Sequence, residues 1–145
     1  MIRSFSFSDL DCILQIEQQS FPKSPYDVPT FVHLRWLYPD TFWVYVEGER
    51  GGEAPQILGY IIFSRDGHII SIAVDPQYRR RGVGKELLEE AIKTLRLERV
   101  WAEVRNSNLG AQTFYLKLGF QITGLVPNYY GSEDALIVQR TSSTP

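Results

Sequence analysis

Residues 79 to 85 read Arg-Arg-Arg-Gly-Val-Gly-Lys. Glycines let the backbone turn its N–H groups toward a ligand, and a helix N-terminus carries partial positive charge. Arg79, Arg80, Arg81, Gly82, Val83, Gly84 and Lys85 together therefore suit an anion. Two kinds of anion site are ruled out by what the loop lacks. A nucleoside-triphosphate loop needs a glycine five residues before its Gly-Lys-[Ser/Thr] unit, but Arg79 stands there, and Glu86 follows Lys85, so no hydroxyl is placed for Mg²⁺. A dinucleotide fingerprint needs a third glycine three residues after the second, and Leu87 occupies that position. An ordinary solvated basic turn has the same composition, so the surrounding chain has to decide between the readings.

The elements that position this loop follow from periodicity. Upstream, Ile69, Ile70, Ile72 and Val74 make a β-branched run that stops at Asp75-Pro76, which predicts a strand ending there. Downstream, Val83, Leu87, Leu88, Ala91, Ile92 and Leu95 recur at three- and four-residue steps, an apolar stripe on a helix of about four turns. Asp66-Gly67 signals a tight hairpin between a strand over 56–64 and the one beginning at His68. Thr41 to Glu47 is a further strand, followed by a polar loop over 48–55. At the start, weak alternation predicts a strand over Ile2 to Phe7. Ser8 with Asp11 then reads as a Ser-x-x-Asp cap on a helix running to about Gln19. Three prolines break 20–29, and a short helix is expected from about Thr30 to Leu37.

Beyond the central helix, Arg99 to Arg105 alternates, with Val100, Ala102 and Val104 on one face and Trp101 and Glu103 on the other. Asn108 caps a helix in which Ala111, Phe114, Tyr115 and Leu118 share a face, closed by Gly119 in a left-handed conformation. Two last strands, over 120–126 and 133–140, are joined by Pro127 to Ser132, and the tail 141–145 is polar.

At 145 residues, with 43% apolar and 22% charged residues, the chain is expected to form one soluble domain. Its net charge of −2 argues against nucleic acid as a partner. No apolar run approaches a membrane span and the N-terminus has no signal-peptide hydrophobic region, so a cytoplasmic protein without a membrane partner is expected. Cys12 is the single cysteine, which excludes an internal disulfide and argues against a thiolate metal site; beside Ile13 it is expected to be buried. His33 and His68 have no Asp or Ser pattern around them and read as structural.

Two blocks, Ser71 to Leu88 and Ala102 to Phe120, carry a resemblance to a known family. The first, Arg79-x-x-Gly82-x-Gly84 at a strand-to-helix junction, resembles the acetyl-coenzyme-A pyrophosphate loop of the GNAT N-acetyltransferases. The second, Glu103-Val104-Arg105-x-x-Asn108-x-x-Ala111-x-x-Phe114-Tyr115-x-x-Leu118-Gly119-Phe120, is similar to that of the ribosomal-protein alanine N-acetyltransferases, the RimI type. Asn128-Tyr129-Tyr130 followed by Glu133-Asp134-Ala135 resembles the peptide-binding end of the same enzymes, and Phe21 and Tyr26 in the proline-rich stretch resemble their other peptide wall. The gap from Tyr130 to Glu133 is only Gly131-Ser132, shorter than in the bacterial members and nearer to the archaeal and eukaryotic Nα-acetyltransferases.

The resemblance implies an α/β GNAT fold over residues 1–145, with a mixed, mostly antiparallel sheet of about seven strands and about four helices. It implies acetyl-CoA as cosubstrate, no metal, and a protein N-terminal α-amine as acceptor, ribosomal protein S18 alanine being the leading instance, in a monomer or weak dimer. Acyl transfer from a thioester to an amine needs a neutral amine, an oxyanion stabiliser and a proton for the departing thiolate. By the resemblance, Glu103 accepts the amine proton, Tyr115 donates to the sulfur, and Asn108 holds the pantetheine arm. The backbone of Ile72, Ala73 and Val74 binds the acetyl and pantetheine portions, and the N–H groups from Arg80 to Lys85 take the pyrophosphate. From residue type alone, Glu103 is also an ordinary ion-paired strand residue, Tyr115 a core tyrosine, and Tyr129 and Tyr130 strand-end aromatics. A small-molecule amine as acceptor and a non-catalytic acyl-CoA-binding module are the competing functions.

Overall fold

The computed structural model describes residues 1–48 and 55–141. The expected polar loop over 48–55 and the polar tail lie largely outside the described residues. Among the described residues there are seven strands and four α-helices, in the order β1 (Ile2–Ser4), α1 (Leu10–Ser20), α2 (Val28–Leu37), β2 (Phe42–Glu47), β3 (Gln56–Phe63), β4 (Ile69–Val74), α3 (Val83–Leu95), β5 (Arg99–Arg105), α4 (Leu109–Lys117), β6 (Gln121–Val126) and β7 (Ala135–Thr141). The strands form two sheets, β1-β2-β3-β4 and β5-β7-β6, rather than one mixed sheet. β1 pairs with β2, β2 with β3, β5 with β7 and β6 with β7, each antiparallel, and an isolated parallel bridge joins His68 and Trp101. The contacts divide the chain into two compact units: Met1–Ser64 with Ile70–Ala91, and Arg65–Ile69 with Ile92–Pro145.

In the first unit, Phe5, Ile13, Ile16, Phe31, Phe42, Val44, Tyr60 and Ile62 make a buried cluster. β3 is buried at every position from Ile57 to Phe63, the pattern of a strand covered on both faces. β4 is the last strand of its sheet's order, and its side chains alternate buried and half-buried. Gly59 is required beside it, because a Cβ there would lie 2.8 Å from the Ala73 carbonyl oxygen and 3.2 Å from Val83.

The N-terminal expectations need correction. β1 ends at Ser4, and the capping box belongs to Ser6 and Asp9, two residues before the predicted Ser8 cap. The Asp9 carboxylate accepts the Ser6 N–H at 2.9 Å and both Arg3 Nη–H groups at 2.8 and 2.9 Å, so the cap is also an ion pair. Cys12 is exposed, not buried, because α1 centres its buried face on Ile13, Ile16 and Glu17 and leaves Cys12 at the flank of that face. α2 begins at Val28, where the Asp27 side chain accepts the Thr30 N–H and Pro29 fits the first turn.

In the second unit, β7 pairs with both β5 and β6, and Val100, Ala102, Val104, Tyr115, Phe120, Ala135 and Val138 are buried. β5 matches the predicted bounds at both ends. Gly67 adopts φ +103°, and a Cβ there would overlap the Arg99 carbonyl oxygen; its own carbonyl accepts the Trp101 N–H at 3.0 Å. Among the described residues, no helix is long and apolar enough to cross a membrane.

Candidate active site

In the first unit, the strand-to-helix loop is built for backbone donors. Asp75 ends β4 and its side chain accepts the Gln77 N–H at 2.9 Å, which turns the chain. Arg80 at φ +69° and Gly82 at φ +78° both lie in the left-handed region, and a Cβ on Gly82 would meet nothing within 4 Å. The Glu86 N–H bonds the Gly82 carbonyl at 2.9 Å and closes the first turn of α3, so the N–H groups of Val83, Gly84 and Lys85 have no acceptor within the helix. The arginines are less uniform than their sequence suggests. Arg79 donates to the Val74 carbonyl and to Ser20 Oγ, both at 3.3 Å, and Arg81 pairs with Glu47 at 3.0 Å. Two of the three guanidinium groups are thus held by the protein's own acceptors, and the anion site rests on the loop's N–H groups. Ile72 and Val74 are half-buried on β4, with Ala73 buried between them. Phe21 caps the end of α1, and Tyr26, half-buried, packs edge-on against Phe31 with centroids 5.7 Å apart.

The second unit gathers the titratable residues. Glu103 lies on the half-buried face of β5, opposite the buried Val100, Ala102 and Val104, as the alternation predicted. Its Oε2 is 2.7 Å from His68 Nε2, and the His68 ring stacks on Trp101 with centroids 5.2 Å apart and planes within 1°. His68 was read from the sequence as structural. Its partner is 35 residues away and no local pattern announces the pair; the only signal was its place just before β4 and beside the Asp66-Gly67 turn.

Tyr115 is buried on α4 against Phe120. Burial, then the nearby Tyr130 and the Glu103 carboxylate, push its hydroxyl well above the usual phenol range, so it stays protonated. Burial and Glu103 also push Tyr129 up. Asn108 Oδ1 accepts the Ala111 N–H at 3.0 Å, so its carbonyl oxygen is committed to the cap and its amide N–H₂ is the group it can offer a ligand.

The Glu133-Asp134-Ala135 motif explains how the tyrosines are held. Asp134 Oδ1 accepts the Asn128 N–H at 2.9 Å, and the Glu133 carbonyl accepts the Tyr130 N–H at 3.0 Å. The Glu133 carboxylate accepts from Arg105 at 3.1 Å and from the Ser107 N–H at 2.7 Å, while Arg105 lies 4.1 Å over the Tyr130 ring. Asn128, at φ +54°, turns the chain so that Tyr129 and Tyr130 sit edge to face, 4.9 Å apart. Of the residues predicted from the sequence, Glu103, Tyr115, Tyr129 and Tyr130 are thus brought together, with His68 added.

The second unit thus pairs a carboxylate with an imidazole near a protonated phenol, and the first opens a helix with a left-handed loop whose N–H groups lack acceptors within the helix. The chain belongs to the acetyltransferase (GNAT) family, whose model matches residues 10–120, and it is an N-acetyltransferase. It is 34% identical to a putative [ribosomal protein bS18]-alanine N-acetyltransferase of Bacillus subtilis, over 94% of this chain and 92% of that one. It is also 34% identical to an N-alpha-acetyltransferase of Sulfurisphaera tokodaii, over 94% and 90% of the two chains. The structure is similar to Ard1 from Thermoplasma volcanium, with a TM-score of 0.83, 33% identity, and 97% and 96% of the two chains covered.

Proposed function

We propose that residues 1–145 work as one N-acetyltransferase domain that transfers the acetyl group of acetyl-CoA to the α-amine of a protein N-terminus, with ribosomal protein S18 alanine as the leading instance. The observation that supports this most is the pinned Asn128–Ser132 turn, which holds Tyr129 and Tyr130 within the electrostatic reach of Glu103 and Tyr115. Acetyl-CoA supplies the thioester. Glu103 takes the amine proton, directly or through a water, as the N–C bond forms; His68 fixes the carboxylate's orientation and provides a second proton site. As the C–S bond breaks, Tyr115 gives its proton to the sulfur. The backbone of Ile72 to Val74, on the last strand of its sheet's order, suits the acetyl and pantetheine amides, Asn108 the pantetheine arm, and the donors from Arg80 to Lys85 the pyrophosphate. Phe21 and Tyr26 in the first unit, and Tyr129 and Tyr130 in the second, are each assigned to the acceptor side.

An α-amine titrates near ~8 and a lysine near ~10.4, so at neutral pH the neutral fraction is roughly two orders of magnitude larger for the α-amine. A single carboxylate–imidazole pair suits that easier deprotonation. Turnover with acetyl-CoA is the test, offering a peptide beginning with alanine, spermidine, or no amine. A kcat/KM for the peptide at least tenfold above that for spermidine is expected. Preference for spermidine would replace the peptide reading with a small-molecule one, and binding without turnover of either amine would leave an acyl-CoA-binding module.

A further inference from the structure

Glu17 is a buried acid, 2% exposed, that the proposed chemistry does not use. Its carboxylate is shared between two donors. Oε2 accepts the Tyr26 N–H at 2.9 Å, and Oε1 accepts the hydroxyl proton of Tyr60 on β3. The Tyr60 oxygen lies 3.0 Å from Ser71 Oγ on β4, and with the phenol proton engaged by Glu17, the serine hydroxyl donates. The backbone carbonyl of Glu17 accepts the Phe21 N–H at 2.8 Å. One residue thus ties both aromatic positions of the α1–α2 connection, and a chain of hydroxyls ties it in turn to β3 and to β4. Burial pushes the Glu17 carboxyl upward, against the pull of its Tyr60 and Tyr26 bonds. A buried charge partnered by a phenol and an amide rather than a base is a poor source of stability.

We propose that Glu17 is a positioning residue for acceptor specificity, gripping the Tyr26 N–H so that Phe21 and Tyr26 form a fixed wall for the incoming chain. This rests on the assignment of Phe21 and Tyr26 to the acceptor side. Glu17→Gln keeps the size but puts one amide oxygen where two carboxylate oxygens accept, so the Tyr26 N–H and the Tyr60 hydroxyl no longer each have a carboxylate oxygen to donate to. It should raise the KM for an alanine-initiated peptide at least tenfold, with kcat and the KM for acetyl-CoA within twofold of wild type. Phe21→Ala and Tyr26→Ala should raise the same peptide KM. If those two do so and folded Glu17→Gln does not, the Glu17 inference is overturned while the acceptor assignment stands. If none of the three moves the peptide KM, both fall. A parallel rise in the acetyl-CoA KM would also overturn the inference. If Glu17→Gln does not fold, Tyr60→Phe decides: it removes one donor from the carboxylate and should raise the peptide KM at least threefold, and an unchanged value would overturn the proposal.

Discussion

Replacing Glu103 by Gln removes the proposed proton acceptor while keeping its size, and replacing Tyr115 by Phe removes only the buried hydroxyl. General acid–base catalysis typically contributes 10²- to 10⁴-fold. Because His68 Nε2 sits 2.7 Å from the Glu103 carboxylate and can take over part of its role, the loss in Glu103→Gln should fall at the low end. That is on the order of a hundredfold in kcat, or about 2.7 kcal/mol of barrier. The two losses should respond differently to pH. An α-amine with a pKa near ~8 is about 10% neutral at pH 7 and about 90% neutral at pH 9. Nearly tenfold of the Glu103→Gln deficit should therefore vanish over that range, as the amine deprotonates unaided. The Tyr115→Phe deficit should stay flat, because burial keeps the wild-type hydroxyl protonated throughout. Free thiol release measured continuously at saturating acetyl-CoA between pH 7 and 9 gives both curves. Deficits that run parallel for the two variants, or a Tyr115→Phe enzyme with wild-type kcat, would refute the assignment of separate proton transfers.

Gly82→Ala should weaken acetyl-CoA binding at least tenfold by calorimetry with a Tm loss of only a few degrees, since the added Cβ meets no protein atom and only the left-handed φ and the ligand feel it. Gly67→Ala should lower Tm by roughly 5 °C or more, because its Cβ runs into the Arg99 carbonyl and the strain cannot be relieved by a rotamer; Gly131→Ala, at φ +83° with open space around it, should cost clearly less. Asp9 is held below the ordinary carboxylate range: burial opposes this, but the bonds from Arg3 and the Ser6 N–H outweigh it. Its stabilisation is therefore present above the unfolded-state pKa of about 4 and lost as pH falls through the folded value. The urea midpoint of wild type should exceed that of Asp9→Asn near neutral pH, with the gap closing below about pH 4.

The parts of the chain with strong local signals were readable in advance. β5 alternates over its full length, α3 carries an unbroken apolar stripe, and Asn108 and Gly119 mark the two ends of α4, so their bounds and the orientation of Glu103 followed from spacing. The misses share one physical cause, which is dependence on distant partners. The cap moved from Ser8 to Ser6 because Arg3 recruits Asp9. Cys12 lies outside because α1 instead buries Glu17, whose donors sit on the α1–α2 connection and on β3. His68 joined Glu103 through the parallel bridge to Trp101, a pairing that no window of sequence contains. The arginine triplet looked like a single cationic patch, yet Ser20, Val74 and Glu47 bind two of its members.

The central claim is that the acceptor is an N-terminal α-amine. Its most direct test is tandem mass spectrometry of one peptide that carries both a free N-terminal alanine and an internal lysine, reacted with acetyl-CoA and the enzyme to partial conversion. The acetyl group should appear on the alanine α-amine in at least nine of ten product molecules; predominant modification of the lysine, with the N-terminus left free, would contradict the account.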